Sequence, residues 1–242
     1  MMKEINFKSL MEMHEDFLNA SVPETSVLSL IVKRDSKDEC YQIYDNNLLR
    51  NILTVKKDGR SLYRMYQKDM SKKIKGLGIE IGKIKSNFLG TEFHCYYKKN
   101  ESSEKKHSIS VKYETNILGL NGPRKMSVFI PSSKYLTTKC DNLLEHYESS
   151  PYKEDSGINK FINKPPRWNE KISAYVLDFK GRATCSSVKN FILVKSENEK
   201  REYILFGKVG KDVFNLDVRH PFSIFQAVAL GISSFEKKLG CE

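Results

Sequence analysis

The sequence predicts a mainly β protein in which a closed β-barrel surrounds a buried C-terminal α-helix. The chain has 242 residues, of which 39% are hydrophobic, and this is enough to bury one large core. Short apolar runs separated by polar turns begin at Val27 and indicate many antiparallel strands. The segment 221–235 carries no charged residue and is apolar on every side of a helix. Such a helix is expected to be buried.

The N-terminal residues predict a short amphipathic helix over 5–19, which Pro23 would end. Its apolar side consists of Phe7, Leu10, Met11, Phe17 and Leu18. Two roles are open for this side: it fills a groove on a partner protein, or it packs on the outside of the barrel. Acidic residues stand where a signal peptide needs an apolar run. We expect residues 1–26 to be an extension and 27–242 to be one domain.

The predicted strands follow from runs of β-branched and aromatic residues. Five clear examples are VLSLIVK (27–33), RKMSVFI (124–130), AYVLDF (174–179), KNFILVK (189–195) and REYILFGKV (201–209). A short helix is predicted around Leu143 and Leu144, before an irregular stretch rich in Ser, Pro and Gly.

The C-terminal helix is predicted to extend from Pro221, which suits the first turn of a helix, to Phe235. Fifteen residues at about 1.5 Å each span roughly 22 Å, which is short for a bilayer. A hydrophobic tail anchor is the alternative, but Gln226 and two serines interrupt the segment. A barrel too wide to be filled by its own side chains would be filled by this helix.

The charge of the chain points to anionic partners. Lys and Arg number 41 against 30 Asp and Glu, so the formal net charge is +11, and the pI is about 9.3. Nucleic acid and an acidic membrane surface both fit this balance. The five cysteines are scattered and contain no C-x-x-C, which favours a reducing compartment over a disulfide framework or a zinc site.

Several blocks of the sequence resemble the tubby-like protein family in order and spacing. These blocks are GKIKSNFLGTEF (82–93), ETNILGLNGPRKMSVFIP (114–131), NKPPRWNEKISAYVLDF (163–179), FKGRATCSSVKNF (179–191) and AVALGISSFEKKLGCE (227–242). The resemblance covers about Val27 to Glu242, with conservative departures at Ala183, Cys185 and Gly240. It implies a twelve-stranded antiparallel barrel threaded by the C-terminal helix.

The resemblance also implies a site for the headgroup of phosphatidylinositol 4,5-bisphosphate. The family's Lys-x-Arg pair matches Lys83 and Lys85, where Lys at the second position keeps the charge but loses the bidentate fork of Arg. A third basic residue matches Lys105, although a gap of one residue would shift the match to a neighbour. Leu62 stands where the family has a contacting Asn.

The physical pattern of this segment supports such a site. Residues i and i+2 of a strand share a face, so Lys83 and Lys85 present two ammonium groups side by side. The apolar phase slips at Gly82, which predicts a bulge. The stretch 56–85 holds ten Lys or Arg against three acids, and each cation near an acidic leaflet adds roughly 1 kcal/mol. A solvated charged face is the plainer explanation of this stretch.

We therefore expect a phosphoinositide-binding adaptor that tethers to membranes and serves the trafficking of membrane proteins, with a transcription regulator that binds nucleic acid as the alternative. The expected location is the cytoplasmic side of the plasma or ciliary membrane, with the nucleus open. No catalytic or metal-binding spacing is present among the five histidines. We thus expect no enzymatic activity, no metal and no cofactor.

Overall fold

The computed structural model describes residues 3–14, 16–46, 50–67, 78–99, 104–114, 125–132, 142–171 and 173–236. The strands are β1 (Lys3–Ile5), β2 (Ser26–Asp35), β3 (Cys40–Asp45), β4 (Asn51–Lys57), β5 (Leu62–Gln67), β6 (Ile79–Ser86), β7 (Glu92–Tyr97), β8 (Lys106–Tyr113), β9 (Met126–Pro131), β10 (Ile158–Asn163), β11 (Arg167–Asn169), β12 (Ala174–Val176), β13 (Phe191–Lys195), β14 (Asn198–Gly210) and β15 (Val213–Arg219). The α-helices are α1 (Phe7–Met13), α2 (Leu143–Ser149) and α3 (Ile224–Ser233), and a 3-10 turn covers Lys153–Ser156.

Twelve of the described strands close into an antiparallel barrel. Their order around the wall is β2, β15, β14, β13, β10, β9, β8, β7, β6, β5, β4 and β3, and β3 then pairs with β2 from Leu30↔Asp45 to Asp35↔Cys40. Neighbours along the chain mostly pair directly, as expected for strands that are joined by short turns. The predicted closed barrel is confirmed.

Helix α3 fills the barrel. All ten of its residues are buried, which confirms the prediction of a central C-terminal helix. Its start differs from the prediction, because Ser223 and Gln226 form a capping box in which each side chain accepts a bond from the other's backbone N–H. This cap sets the first turn at Ile224, so Pro221 lies before the helix instead of inside it.

The helix is tied to the wall by polar contacts as well as by apolar packing. The Gln226 side-chain amide donates to the carbonyl oxygen of Ser108 at 2.9 Å. The hydroxyl groups of Ser233 and Tyr113 are hydrogen-bonded at 2.9 Å. Beyond the helix, Glu236 accepts a hydrogen bond from the Tyr63 hydroxyl. These bonds satisfy buried polar groups that would otherwise oppose burial of the helix.

The N-terminal segment packs against the same core. Helix α1 is shorter than the predicted 5–19, because the Asn6 side chain caps it by accepting from the N–H of Ser9 at 2.8 Å and the chain is extended at His14. The core contains four of the five apolar residues of the predicted stripe, namely Phe7, Leu10, Phe17 and Leu18. For these four, the structure shows packing on the barrel; a protein partner for this segment stays a prediction.

Two additions lie outside the barrel wall. Helix α2 confirms the short helix predicted near Leu143 and covers Phe129 of β9. Strands β11 and β12 form a separate hairpin, in which the Trp168 and Tyr175 rings meet edge to face at 5.2 Å. Both rings are exposed.

Candidate functional site

The bulge predicted at Gly82 is present in β6. Pairing with β5 steps from Met65↔Gly82 to Tyr66↔Glu80, so Ile81 is the extra residue. A bulge changes which way the following side chains point. The register of β6 is therefore reset just before the two lysines of the predicted site.

Only glycine fits at position 82. A Cβ there would lie 2.6 Å from Cε2 of Phe225 on α3 and would overlap the carbonyl oxygen of Tyr96. The wall and the central helix thus touch directly behind the site. The bulge is consequently fixed from the inside by the packing of α3.

The two lysines point away from this contact. Ile84 is fully buried, Lys83 is partly exposed and Lys85 is exposed. Since alternate residues of a strand face opposite sides, Lys83 and Lys85 share the outer face, as predicted.

One carboxylate on this outer face is surrounded by cations. Glu80 accepts a hydrogen bond from Nη1 of Arg64 at 2.9 Å, and the Nζ atoms of Lys98 and Lys83 lie 3.7 and 3.9 Å from its Oε1. Arg64 also bonds Asp58 at 2.5 Å. The side chain of Glu80 keeps 19% of its surface exposed. Three cations therefore share one partly accessible carboxylate, and both lysines are beyond hydrogen-bond distance from it.

The pKa shifts of this group reflect the same imbalance. Desolvation lowers the pKa of Lys83, Glu80 opposes this, and the positive charges of Arg64, Lys105 and Lys98 lower it further. Desolvation would raise the pKa of Glu80, but the hydrogen bond from Arg64 and the charges of Lys83 and Lys98 bring it below its ordinary value of 4.5. Positive charge is in excess here, which favours an added anion.

Lys105 belongs to this neighbourhood. It is exposed, precedes β8 directly, and is close enough for its charge to lower the pKa of Lys83. The structure therefore brings Lys105 near Lys83. We call Arg64, Lys83, Lys98 and Lys105 the cation cluster.

Lys85 lies beside the cation cluster over an aromatic surface. Its Nζ is 5.7 Å from the centroid of the Tyr96 ring, and that ring stacks on His107 at 4.7 Å. Across the strands Lys85 pairs with His94 on one side and Leu62 on the other. The ring face attracts the ammonium group and so favours this position of Lys85.

Sequence reasoning missed two members of the cluster. Lys98 continues the outward parity of His94 and Tyr96 along β7, and this parity is the signal that could have found it. Arg64 belongs to the basic stretch 56–85, and the structure pairs it across the strands with Lys83. The part of that stretch that covers 68–77 lies outside the described residues.

A second group of charges lies on another part of the wall. Glu202 accepts from Nζ of Lys164 at 2.9 Å and from Nζ of Lys180 at 2.8 Å. A cleft of about 800 Å³ between the β11–β12 hairpin and the wall is lined by these three residues and by Trp168. Each oxygen of this carboxylate accepts a hydrogen bond from its own ammonium group, so the carboxylate is saturated.

Two further observations concern the described residues only. Within the ranges given above, no three His, Cys, Asp or Glu side chains are grouped so that they could hold a metal ion. Among the helices of those same ranges, none has the length and apolar character needed to cross a bilayer.

The structure is that of a helix-filled β-barrel with a basic patch on its outer wall. The chain belongs to the Tub family, whose family model matches residues 18–237. It is 37% identical to human Tubby-related protein 1 over 179 residues, which cover 67% of this chain and 32% of that protein. It is 36% identical to Protein king tubby 1 of Aedes aegypti over 182 residues, which cover 72% and 44%. The chain thus matches less than half the length of these relatives.

One solved structure is similar at a lower level. A protein of Arabidopsis thaliana matches with a TM-score of 0.43 and 12% identity, over 88% of this chain and 90% of that one. A likeness at this level supports no inference about function.

Proposed function

We propose that the cation cluster and Lys85 bind the phosphorylated headgroup of a phosphoinositide, phosphatidylinositol 4,5-bisphosphate above all. The observation that carries the proposal is the excess of positive charge around Glu80, where three cations share one carboxylate and Lys105 adds a fourth positive charge. Phosphate oxygens form charge-assisted hydrogen bonds with Lys and Arg, and these are about twice as strong as neutral ones. A bisphosphorylated ring would supply the missing negative charge.

The position of the patch also supports a membrane ligand. Lys83, Lys85 and Lys105 lie on the outer wall of the barrel and not inside it, so a flat leaflet can reach them. Each cation near an acidic leaflet contributes roughly 1 kcal/mol. In this proposal the protein is a tethering adaptor on the cytoplasmic face of the plasma or ciliary membrane. It serves the trafficking of membrane proteins and catalyses no reaction.

Vesicle binding tests the proposal. The double variant Lys83→Ala/Lys85→Ala should lose binding to vesicles that contain phosphatidylinositol 4,5-bisphosphate, while its melting temperature changes little because both side chains are at the surface. The variant Lys171→Ala/Lys200→Ala removes the same charge from exposed positions near the second cleft and should bind like the unaltered protein. Unchanged vesicle binding by a folded Lys83/Lys85 variant would contradict the proposal.

A parallel titration separates the membrane from nucleic acid. Binding to duplex DNA should weaken steeply with salt and show no dependence on the Lys83/Lys85 pair beyond its charge. If duplex DNA binds more tightly than phosphoinositide vesicles at physiological salt, the nucleic-acid alternative replaces the membrane proposal.

A further inference from the structure

The turn between β6 and β7 holds two large apolar side chains in solvent. Phe88 is 70% exposed and Leu89 is 45% exposed. We call these two residues the apolar tip. A large apolar side chain exposed on a turn is unfavourable in water unless something covers it.

The exposure is fixed by the turn itself. The Asn87 side chain accepts from the N–H groups of Thr91 at 2.9 Å and Glu92 at 3.2 Å, and its amide donates to the Thr91 hydroxyl at 2.9 Å. The N–H of Gly90 donates to the carbonyl oxygen of Asn87, and Gly90 has a φ of +66°, which favours glycine. The turn is thus built to keep the apolar tip in one conformation outside the core.

Cations lie next to the apolar tip. The guanidinium of Arg60 is 5.5 Å from the centroid of the Phe88 ring, and the turn that carries Arg60 is bonded to β6 through Ser86 N–H and Ser61 C=O at 2.8 Å. Lys85 lies on the outer face of β6, one residue before the strand ends at Ser86 and the turn with Phe88 begins. The apolar tip is therefore flanked by Arg60 on the adjoining turn and by Lys85 on β6.

We propose that the apolar tip inserts into the interfacial region of an anionic lipid leaflet, while Arg60 and Lys85 contact the lipid phosphates around it. This inference rests on the proposed function, since it adds an apolar contact beside the headgroup site. Apolar side chains flanked by Lys or Arg are the pattern that binds at the boundary of headgroups and acyl chains. Two side chains offer far less than the roughly 1,000 Å² that a specific protein interface buries, so a leaflet fits better than a protein partner.

The first test separates insertion from headgroup binding. Phe88→Ser/Leu89→Ser should bind vesicles with phosphatidylinositol 4,5-bisphosphate about 30-fold more weakly, because two apolar side chains no longer leave water. The same variant should bind soluble inositol 1,4,5-trisphosphate with unchanged affinity. Tyr152→Ser is the matched control, since Tyr152 is 74% exposed on a different turn, and it should change neither affinity.

Each other outcome has a definite meaning. Unchanged vesicle binding by the tip variant overturns the insertion. Loss of the soluble headgroup as well, in a folded variant, also overturns it, because the turn would then act through the headgroup site. If the unaltered protein binds neither vesicles nor the soluble headgroup, it is the proposed function that fails.

The second test observes the tip directly. The chain has one tryptophan, so Trp168→Phe/Phe88→Trp places a single reporter at the tip, and Trp168→Phe/Tyr152→Trp places one at the control turn. On bound vesicles, brominated acyl chains should quench the reporter at position 88 and leave the reporter at 152 unquenched. An unquenched reporter at 88 on bound vesicles overturns the insertion and leaves a protein contact as the role of the tip.

Discussion

Glu80 and Glu202 lie on the outer wall of the same barrel and both attract lysines, but their lysines stand at different distances. Glu202 is 6% exposed and receives one ammonium group on each oxygen at 2.8 and 2.9 Å. Glu80 is 19% exposed, and its two lysines stay at 3.7 and 3.9 Å. Both oxygens of Glu202 hold an ammonium group at hydrogen-bond distance, whereas the two lysines at Glu80 stand beyond that distance and can still bond another anion.

The comparison separates a structural ion group from a candidate binding patch. Removing one partner of a buried ion pair is costly, because the charge that remains is desolvated and has no counter-ion. A partly exposed carboxylate among excess cations adds little to stability, but it competes with an incoming anion. The same substitution should therefore act mainly on stability at Glu202 and mainly on ligand affinity at Glu80.

The largest expected effect is on stability at Glu202. Glu202→Gln should lower the free energy of unfolding by about 3 kcal/mol, because Lys164 is left half-buried without its counter-ion. Glu80→Gln should change it by less than about 1 kcal/mol. Urea unfolding of both variants measures the difference, and equal losses at the two sites would remove the basis of the comparison.

The pH dependence sharpens the contrast. Burial opposes ionisation of Glu202, but the hydrogen bonds from Lys180 and Lys164 lower its pKa below 4.5. A carboxylate with a lowered pKa in the folded state stabilises above its unfolded pKa, and this contribution is lost as the pH falls through the folded value. Unfolding of the unaltered protein should thus become easier below about pH 4.5 than at neutral pH, and Glu202→Gln should show a shallower decline. A parallel decline in both proteins would contradict this.

At Glu80 the substitution should strengthen ligand binding. Glu80→Gln removes the negative charge that competes for the cation cluster, so affinity for soluble inositol 1,4,5-trisphosphate should rise about fivefold, which corresponds to roughly 1 kcal/mol per charge. Calorimetric titration measures it. Glu170→Gln removes the same charge from the hairpin and should have no effect. A weaker affinity in the Glu80 variant would mean that this carboxylate orients the lysines instead of competing with the ligand.

The barrel and its central helix could be predicted because their signals are local and strong. The uncharged segment that contains α3 has no side to expose, and alternating apolar runs predict strands. The predicted helix boundaries were less accurate, because capping residues determine where each helix begins. Ser223 with Gln226 begins α3 after Pro221, and the cap at Asn6 begins a helix that ends before Phe17 and Leu18. These two residues are buried from the following turn, where helical spacing no longer applies.

The site was only partly predictable for a physical reason. Lys83 and Lys85 follow from the parity of one strand, and Gly82 marks the bulge. Arg64 and Lys98 reach Glu80 from the neighbouring strands, and the register between strands cannot be predicted from the sequence of one strand alone. Trp168 shows a different limit: its hairpin stands outside the wall and leaves the ring exposed, a placement that depends on the tertiary fold and not on the local pattern.

The smallest expected effect concerns the shape of the cation at position 85. Lys85→Arg should raise affinity for inositol 1,4,5-trisphosphate about threefold, because a planar guanidinium binds two oxygens at once and stacks on a ring such as Tyr96. The gain should be absent for inositol 1-phosphate, since it lacks the 4- and 5-phosphates that the guanidinium would bind. Lys180→Arg is the matched control at the saturated group and should leave both affinities unchanged, because its charge is used by Glu202. No gain for either ligand would show that position 85 supplies charge alone, because Lys and Arg carry the same charge, and an equal gain for both would show that it does not distinguish the phosphate pattern.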